Sequence, residues 1–268
     1  VGGLRRKGWD LAFGTHLRYE LAKTFRSKRS GMHEKARRLF SYLEQFLSFG
    51  IPCLKQVPDL LREEVKSADR QKRSVECFYR DEFYKREATE ITKLAAGEVD
   101  SRLEKVLDFR ANQISEFRKE SPKRTAKWTR FMDGETDMCL SDFIEDAWRG
   151  LGPGCLKKHV SGLFPGLTER DLRRITRKIL SAPRYRLSHA LVRGDLYLDW
   201  RCLRGRAVAR DTSDDCYHLA NAAYCDVYAT DESSQGDYAD EILTLTGIRI
   251  HDRKAPLLEW LTSTAISR

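Results

Sequence analysis

From Glu34 to Phe49 the apolar residues Ala36, Leu39, Phe40, Leu43, Phe46 and Leu47 return every three or four positions, and Gly50 follows them. That spacing lines one side of a helix with apolar side chains, and a glycine just past the end provides a stop. Short apolar runs without helical period flank this segment, Leu11 to Gly14 and Ile51 to Leu54, and both read as strands. Thr15 stands as an N-cap before a polar helix containing Glu20, Leu21 and Phe25. Residues 1–58 therefore alternate strand and helix, the pattern of a parallel α/β sheet.

The texture changes from about Pro58 to Leu191, where charged, helix-favouring stretches carry a rough amphipathic stripe of Ile91, Leu94, Leu103, Val106, Leu107, Ile114 and Phe117. Residues 59–195 are expected to be a helical insertion. Breakers at Gly150, Gly152, Pro153 and Gly154, and again at Pro165 and Gly166, predict that it has two parts. Strand and helix alternate again over 196–268. Thr212 or Ser213 caps a helix through Tyr224, Asp226 to Thr230 reads as a buried strand, and Tyr238 to Leu245 as a helix. Ile248 to Ile250 is a further strand and Pro256 to Ala265 a closing helix. The expected fold class is α/β, with short parallel strands near 11–14, 51–55, 226–230 and 248–250 and a large helical interruption.

Composition adds a direction to this picture. Of 268 residues, 41% are hydrophobic, enough for a real core, and 49 Lys and Arg against 40 Asp and Glu leave a net charge of +9. Such a balance suits a protein that meets a polyanion. The seven cysteines are scattered, with no Cys-x-x-Cys and no Cys/His pair at zinc spacing, and read as reduced thiols. No apolar run reaches the length of a membrane span, which makes the cytoplasm the expected compartment. The opening Val1, Gly2, Gly3, Leu4, Arg5 and Arg6 reads like the tail of a helix already under way.

The densest candidate chemistry lies between Asp211 and Asp231, DTSDDCYHLANAAYCDVYATD. Asp215 is followed by His218 and Ala220, and then by an apolar strand ending in Thr230 and Asp231. This segment resembles the C-terminal half of a PIN domain, in which an acidic residue opens a D-x-x-H-x-A helix and the next strand ends in Thr-Asp. Thr15 to Phe25, THLRYELAKTF, is similar to the second helix of that family, with Glu20 at the position whose carboxylate faces the active site. The resemblance implies a PIN-like parallel sheet and a Mg²⁺- or Mn²⁺-dependent endoribonuclease. Glu20, Asp215 and Asp231 would hold the metal and a bound water would attack the phosphodiester. It also implies single-stranded RNA as substrate and, from a pairing common in the family, a protein inhibitor of antitoxin type. The family's first strand ends in Asp; no apolar strand of that kind precedes Leu11, and Asp10 stands before a strand.

Parallel sheets bind ligands at the carboxyl ends of their strands, which is where Asp231 falls. His218 is expected to serve packing or hydrogen bonding. Two basic segments, Arg118 to Arg130 with Trp128 and Arg170 to Arg186 with Tyr185, could follow a phosphate backbone and stack unpaired bases. Lys127, Arg130, Arg173, Arg174 and Arg177 are their candidate RNA contacts. The rival expectation is a catalytically inactive PIN-like protein, or a mostly helical nucleic-acid-binding or regulatory protein.

Overall fold

The computed structural model describes residues 10–70, 74–131, 137–205, 212–228, 233–244, 248–251, 256 and 259–260. In chain order the elements are β1 (Phe13–Gly14), α1 (His16–Ala22), a 3-10 turn (Lys23–Arg26), α2 (Met32–Leu47), β2 (Cys53–Leu54), α3 (Val57–Arg70), α4 (Asp81–Ala96) and α5 (Ser101–Phe131). There follow α6 (Leu140–Leu163), α7 (Glu169–Leu180), α8 (Arg186–Leu203), α9 (Thr212–Asn221), β3 (Val227–Tyr228), α10 (Ser233–Leu243) and β4 (Arg249–Ile250). The chain divides into two compact units. One contains Val1–Gln56, Cys77–Gln113 and Lys254–Arg268, and the other Val57–Glu76 and Ile114–Arg253.

In the first unit α2 forms where the apolar period places it and buries Ala36, Phe40, Leu43 and Leu47. These pack with Ile91 and Leu94 of α4, with Phe13 of β1 and with Phe25, whose ring stacks on Phe40 at 5.8 Å. Gly97 ends α4 at φ 86°, in the left-handed region that glycine enters without a Cβ penalty, and its N–H and that of Glu98 return to the last turn. β1 and β2 pair in parallel, Phe13 opposite Cys53 and Gly14 opposite Leu54. Tyr79 N–H donates to Cys53 C=O at 2.9 Å from the other side of β2.

The second unit is built around α8, in which fourteen of eighteen residues are buried. A helix buried on all sides is a central one, and α3, α6, α7, α9 and α10 pack on it. Its N-terminus is held by Glu64 of α3, a fully buried carboxylate. Glu64 accepts from the Leu187 N–H at 2.9 Å, from the Ser188 N–H at 3.0 Å, from the Ser188 hydroxyl and from the Tyr224 hydroxyl. The two N–H groups are among those that a helix start leaves without intrahelical partners, and Glu64 supplies their acceptor. β3 and β4 form a second parallel pair, Val227 opposite Arg249.

The fold is therefore mostly helical, and the expected PIN-like α/β class is corrected. All four strands occur where the apolar runs place them, but each is two residues long, and they form two separate two-stranded sheets. A local apolar run marks a strand but not its partner. Pairing β1 with β2 and β3 with β4 leaves no multi-stranded core of the PIN kind among the described residues. The break expected at Gly150–Gly154 is also corrected, because α6 passes through it. Gly152 is buried there, with space for a Cβ only 3.5 Å from Val192 Cγ1, and burial of this helix outweighs the propensity of its breakers. The second set of breakers does end α6, at Leu163. The opening segment expected to be helical, and most of the expected closing helix at 256–265, lie outside the described residues.

Candidate nucleic-acid interface

The acidic positions Glu20, Asp215 and Asp231 carry the nuclease expectation. Glu20 lies on α1 of the first unit, where it accepts from Lys23 Nζ at 2.9 Å. Asp215 lies on α9 of the second unit and accepts from the Tyr238 hydroxyl at 3.1 Å; that tyrosine stacks on Tyr197 at 4.3 Å. Asp231 lies outside the described residues. Among the described residues no group of three or more His, Cys, Asp or Glu side chains is arranged to hold a metal ion. Together with the helical fold, this overturns the reading as a metal-dependent PIN-type ribonuclease. The Glu20 and Asp215 carboxylates are each engaged by a side-chain donor of their own unit.

The basic segments divide into two kinds. α7 turns Leu172, Ile175, Thr176 and Ile179 inward and its arginines outward. Thr168 caps it, accepting from the Asp171 N–H at 3.2 Å. Its outward charges are largely answered by nearby carboxylates. Arg173 donates to Glu169 at 2.8 Å, and Arg174 to Asp69 at 3.0 Å. Glu169 also takes Lys157 at 2.7 Å. Arg177 is exposed and has no carboxylate partner among the described residues.

The C-terminal half of α5 is arranged differently. Ser121, Arg124, Thr125 and Trp128 form its inward row. Arg124 donates to Asp199 of α8 at 2.7 Å, and Thr125 Oγ1 to the Cys202 carbonyl at 2.9 Å. Trp128 is 2% exposed and packs against Phe143 at 4.8 Å between centroids. This anchoring sends Lys119, Lys123, Lys127 and Arg130, spaced four, four and three residues apart, to one outward face. Lys119 donates to Glu116 at 2.8 Å. Lys123, Lys127 and Arg130 are exposed, with no carboxylate in ion-pair range among the described residues.

A polar layer lies behind this face. His159 Nε2 of α6 is 2.9 Å from Asp195 Oδ2 of α8. Burial works against charge on the imidazole, but the Asp195 carboxylate outweighs it and raises His159 above its ordinary value. Burial, with Asp195 and Asp199, pushes the Cys155 thiol up to about 12, so it stays protonated. Lys158 and Lys127 both act on that thiol in the opposite sense. All seven cysteines are free. The aromatic residues expected to stack bases are not available for it, since Trp128 is buried and Tyr185 is 0% exposed. No helix among the described residues is long and apolar enough to cross a membrane.

Sequence reasoning missed the buried carboxylates Glu64 and Glu87, because a glutamate in a polar helical stretch carries no local mark of burial. No protein-family model, no curated protein and no solved structure matches this chain.

Proposed function

We propose that the protein binds the phosphate backbone of a nucleic acid, RNA above all, through the outward face of α5, and that it does so without reading bases. The observation that carries this reading is the row Lys123, Lys127 and Arg130, exposed and, among the described residues, unanswered by carboxylates on a helix whose opposite face is fixed by Trp128 and Arg124. A fixed row of cations releases condensed counterions when it meets a polyanion, which gives affinity without sequence preference. The net charge of +9 acts in the same direction. Buried Trp128 and Tyr185 favour backbone contact over base stacking.

The test is salt-dependent binding of fluorescent single-stranded RNA and duplex DNA of equal length to the full chain. Replacing Lys123, Lys127 and Arg130 together by Ala should flatten the slope of log affinity against log salt by about 2, since each lost contact removes roughly 0.7 on single strands and 0.9 on duplex. Replacing Arg173 and Arg174 should change it less, because Glu169 and Asp69 already answer them. An unchanged slope in the triple variant would overturn the reading.

A further inference from the structure

The first unit holds a pocket of about 220 Å³ with both polar and apolar walls. Arg18 and Tyr19 enter it from α1, just after β1, and Gln56 from the residues just after β2, so it lies at the carboxyl end of the parallel pair. Glu87 and Glu90 of α4 form a second side, and Leu94, Leu103 and Val106 an apolar one.

Arg18 is held in place at one end of its guanidinium. Nη2 donates to the Tyr19 hydroxyl at 2.8 Å, the guanidinium carbon lies 4.8 Å from the Tyr19 ring centre, and Nη1 is 3.3 Å from Glu87 Oε2. Yet both members of this ion pair are left incomplete. Glu87, only 4% exposed, has a buried Oε2 that accepts no hydrogen bond, and Arg18 has a buried Nε that donates none. Buried polar atoms are almost always satisfied, so a buried ion pair left short of hydrogen bonds, in two residues that line one pocket, marks a polar patch that another molecule's groups can complete. At the rim the acidic side chains are already used: Glu90 takes Lys93 at 3.2 Å and Asp100 takes the Leu103 N–H at 2.7 Å. The exposed Arg102 has no carboxylate partner among the described residues.

From this arrangement we infer a binding site for a small zwitterion, an α-amino acid with an apolar side chain: its ammonium group donates to the Glu87 carboxylate, its carboxylate accepts from Arg102, and its side chain lies on Leu94, Leu103 and Val106. Charge-assisted bonds of opposite sign in one small pocket discriminate against molecules lacking either charge, most strongly against those that leave the buried Glu87 unmatched. Burial raises the Glu87 carboxyl above its ordinary range, with Arg18 and Arg86 opposing, so a bound cation is favoured electrostatically. The site involves none of the basic α5 residues between Lys119 and Arg130, and it stands or falls independently of nucleic-acid binding.

The experiment is thermal melting and calorimetric titration of the full chain with L-leucine, N-acetyl-L-leucine, which lacks the ammonium, and leucinol, which lacks the carboxylate. L-leucine should raise the melting temperature in proportion to its occupancy, and each of the other two should bind at least about tenfold more weakly. Arg102→Ala, an exposed rim change, should weaken L-leucine roughly tenfold while leaving leucinol unchanged. The double variant Arg18→Met with Glu87→Leu replaces the pair together and should abolish binding; where it fails to fold, the Arg102 result decides. Absence of both a melting shift and a binding heat with apolar amino acids at about 10 mM, or equal binding of N-acetyl-L-leucine, would overturn the proposal.

Discussion

Glu64 and Glu87 are both glutamates buried on helices, one in each compact unit, and their surroundings differ in a way that separates a structural carboxylate from a receptive one. Around Glu64 every close polar neighbour is a donor: two backbone N–H groups at the start of α8 and the hydroxyls of Ser188 and Tyr224. Around Glu87 the ion-pair partner is Arg18, placed for charge attraction but not for a hydrogen bond, with Arg86 also acting on it and a pocket adjoining. A buried acceptor that takes several donors is complete without a ligand; one left short of donors beside a pocket is not. Glu64 is spent on holding helices together, and Glu87 is not.

The most severe way to break this comparison is to remove Glu64. Glu64→Ala would leave two backbone N–H groups and two hydroxyls in the interior without their acceptor, and detach α3 from the start of α8. With each stranded group costing about 1–3 kcal/mol, partly recovered by relaxation and water entry, a net loss of roughly 3–5 kcal/mol is expected. Urea unfolding followed by Trp fluorescence measures it, since Trp128, Trp148 and Trp200 all belong to the second unit. A loss below about 1 kcal/mol would mean that the donors find other partners easily, and the contrast with Glu87 would fail. By the same reasoning, deleting the Arg18–Glu87 pair as a pair should be mild, because both charges leave the interior together.

A gentler perturbation is pH. Burial pushes the Glu64 carboxyl from its ordinary 4.5 up to about 7, outweighing the Ser188, Tyr224 and Leu187 donors that pull the other way. The folded value lies above the unfolded one, so the protein holds this proton more tightly when folded. The corresponding stability is fully present below about 4.5 and is lost as pH rises through about 7. The expected decline is about 3 kcal/mol from this residue. His159, raised beside Asp195, acts in the same sense. The urea midpoint should therefore fall between mildly acidic and mildly alkaline solution, and Glu64→Gln should flatten that fall. A midpoint that rises with pH in both proteins would contradict the assignment.

What could be read in the sequence, and what could not, follows from the range of the interactions involved. α2 was legible because its stripe from Ala36 to Leu47 is local, and the places of β1 and β2 were legible as short apolar runs around it. The sheet was not, since pairing joins distant segments and the same runs are compatible with one sheet of four strands or two sheets of two. The D-x-x-H-x-A segment suggested a metal-binding Asp215, whereas in the fold that carboxylate accepts from the Tyr238 hydroxyl, a partner supplied from another helix. The basic stretch around Arg173 looked free because Asp69, one of its partners, is far away in sequence. On α5 the exposed cations and buried Trp128 alternate at helical spacing, so Lys127 and Arg130 were legible as exposed, but the burial that takes Trp128 out of contact with a ligand was not. Glu64 and Glu87 lie among residues that favour solvated helix surface, and only tertiary packing distinguishes them.

The smallest effect tests how far the second unit's completed packing extends along α6. Gly150 and Gly154 sit in helical positions on its exposed side, and a Cβ added at either meets nothing within 4 Å. Because α6 is continuous there, replacing glycine by alanine removes unfolded-chain entropy without a steric penalty. Gly150→Ala and Gly154→Ala should each then stabilise by about 0.5–1 kcal/mol. Gly194→Ala on α8 is the contrast: its Cβ would lie 3.3 Å from Cys216 Cβ, a tight contact inside the core, so the same helical gain is offset or reversed. The measurement is the urea midpoint of each single variant at fixed pH. Stabilisation at 150 and 154 with none at 194 fits an unbroken α6 beside a filled core. Destabilisation at 150 or 154 would instead show that the glycines serve a bend, and that the breakers read in the sequence do interrupt the helix.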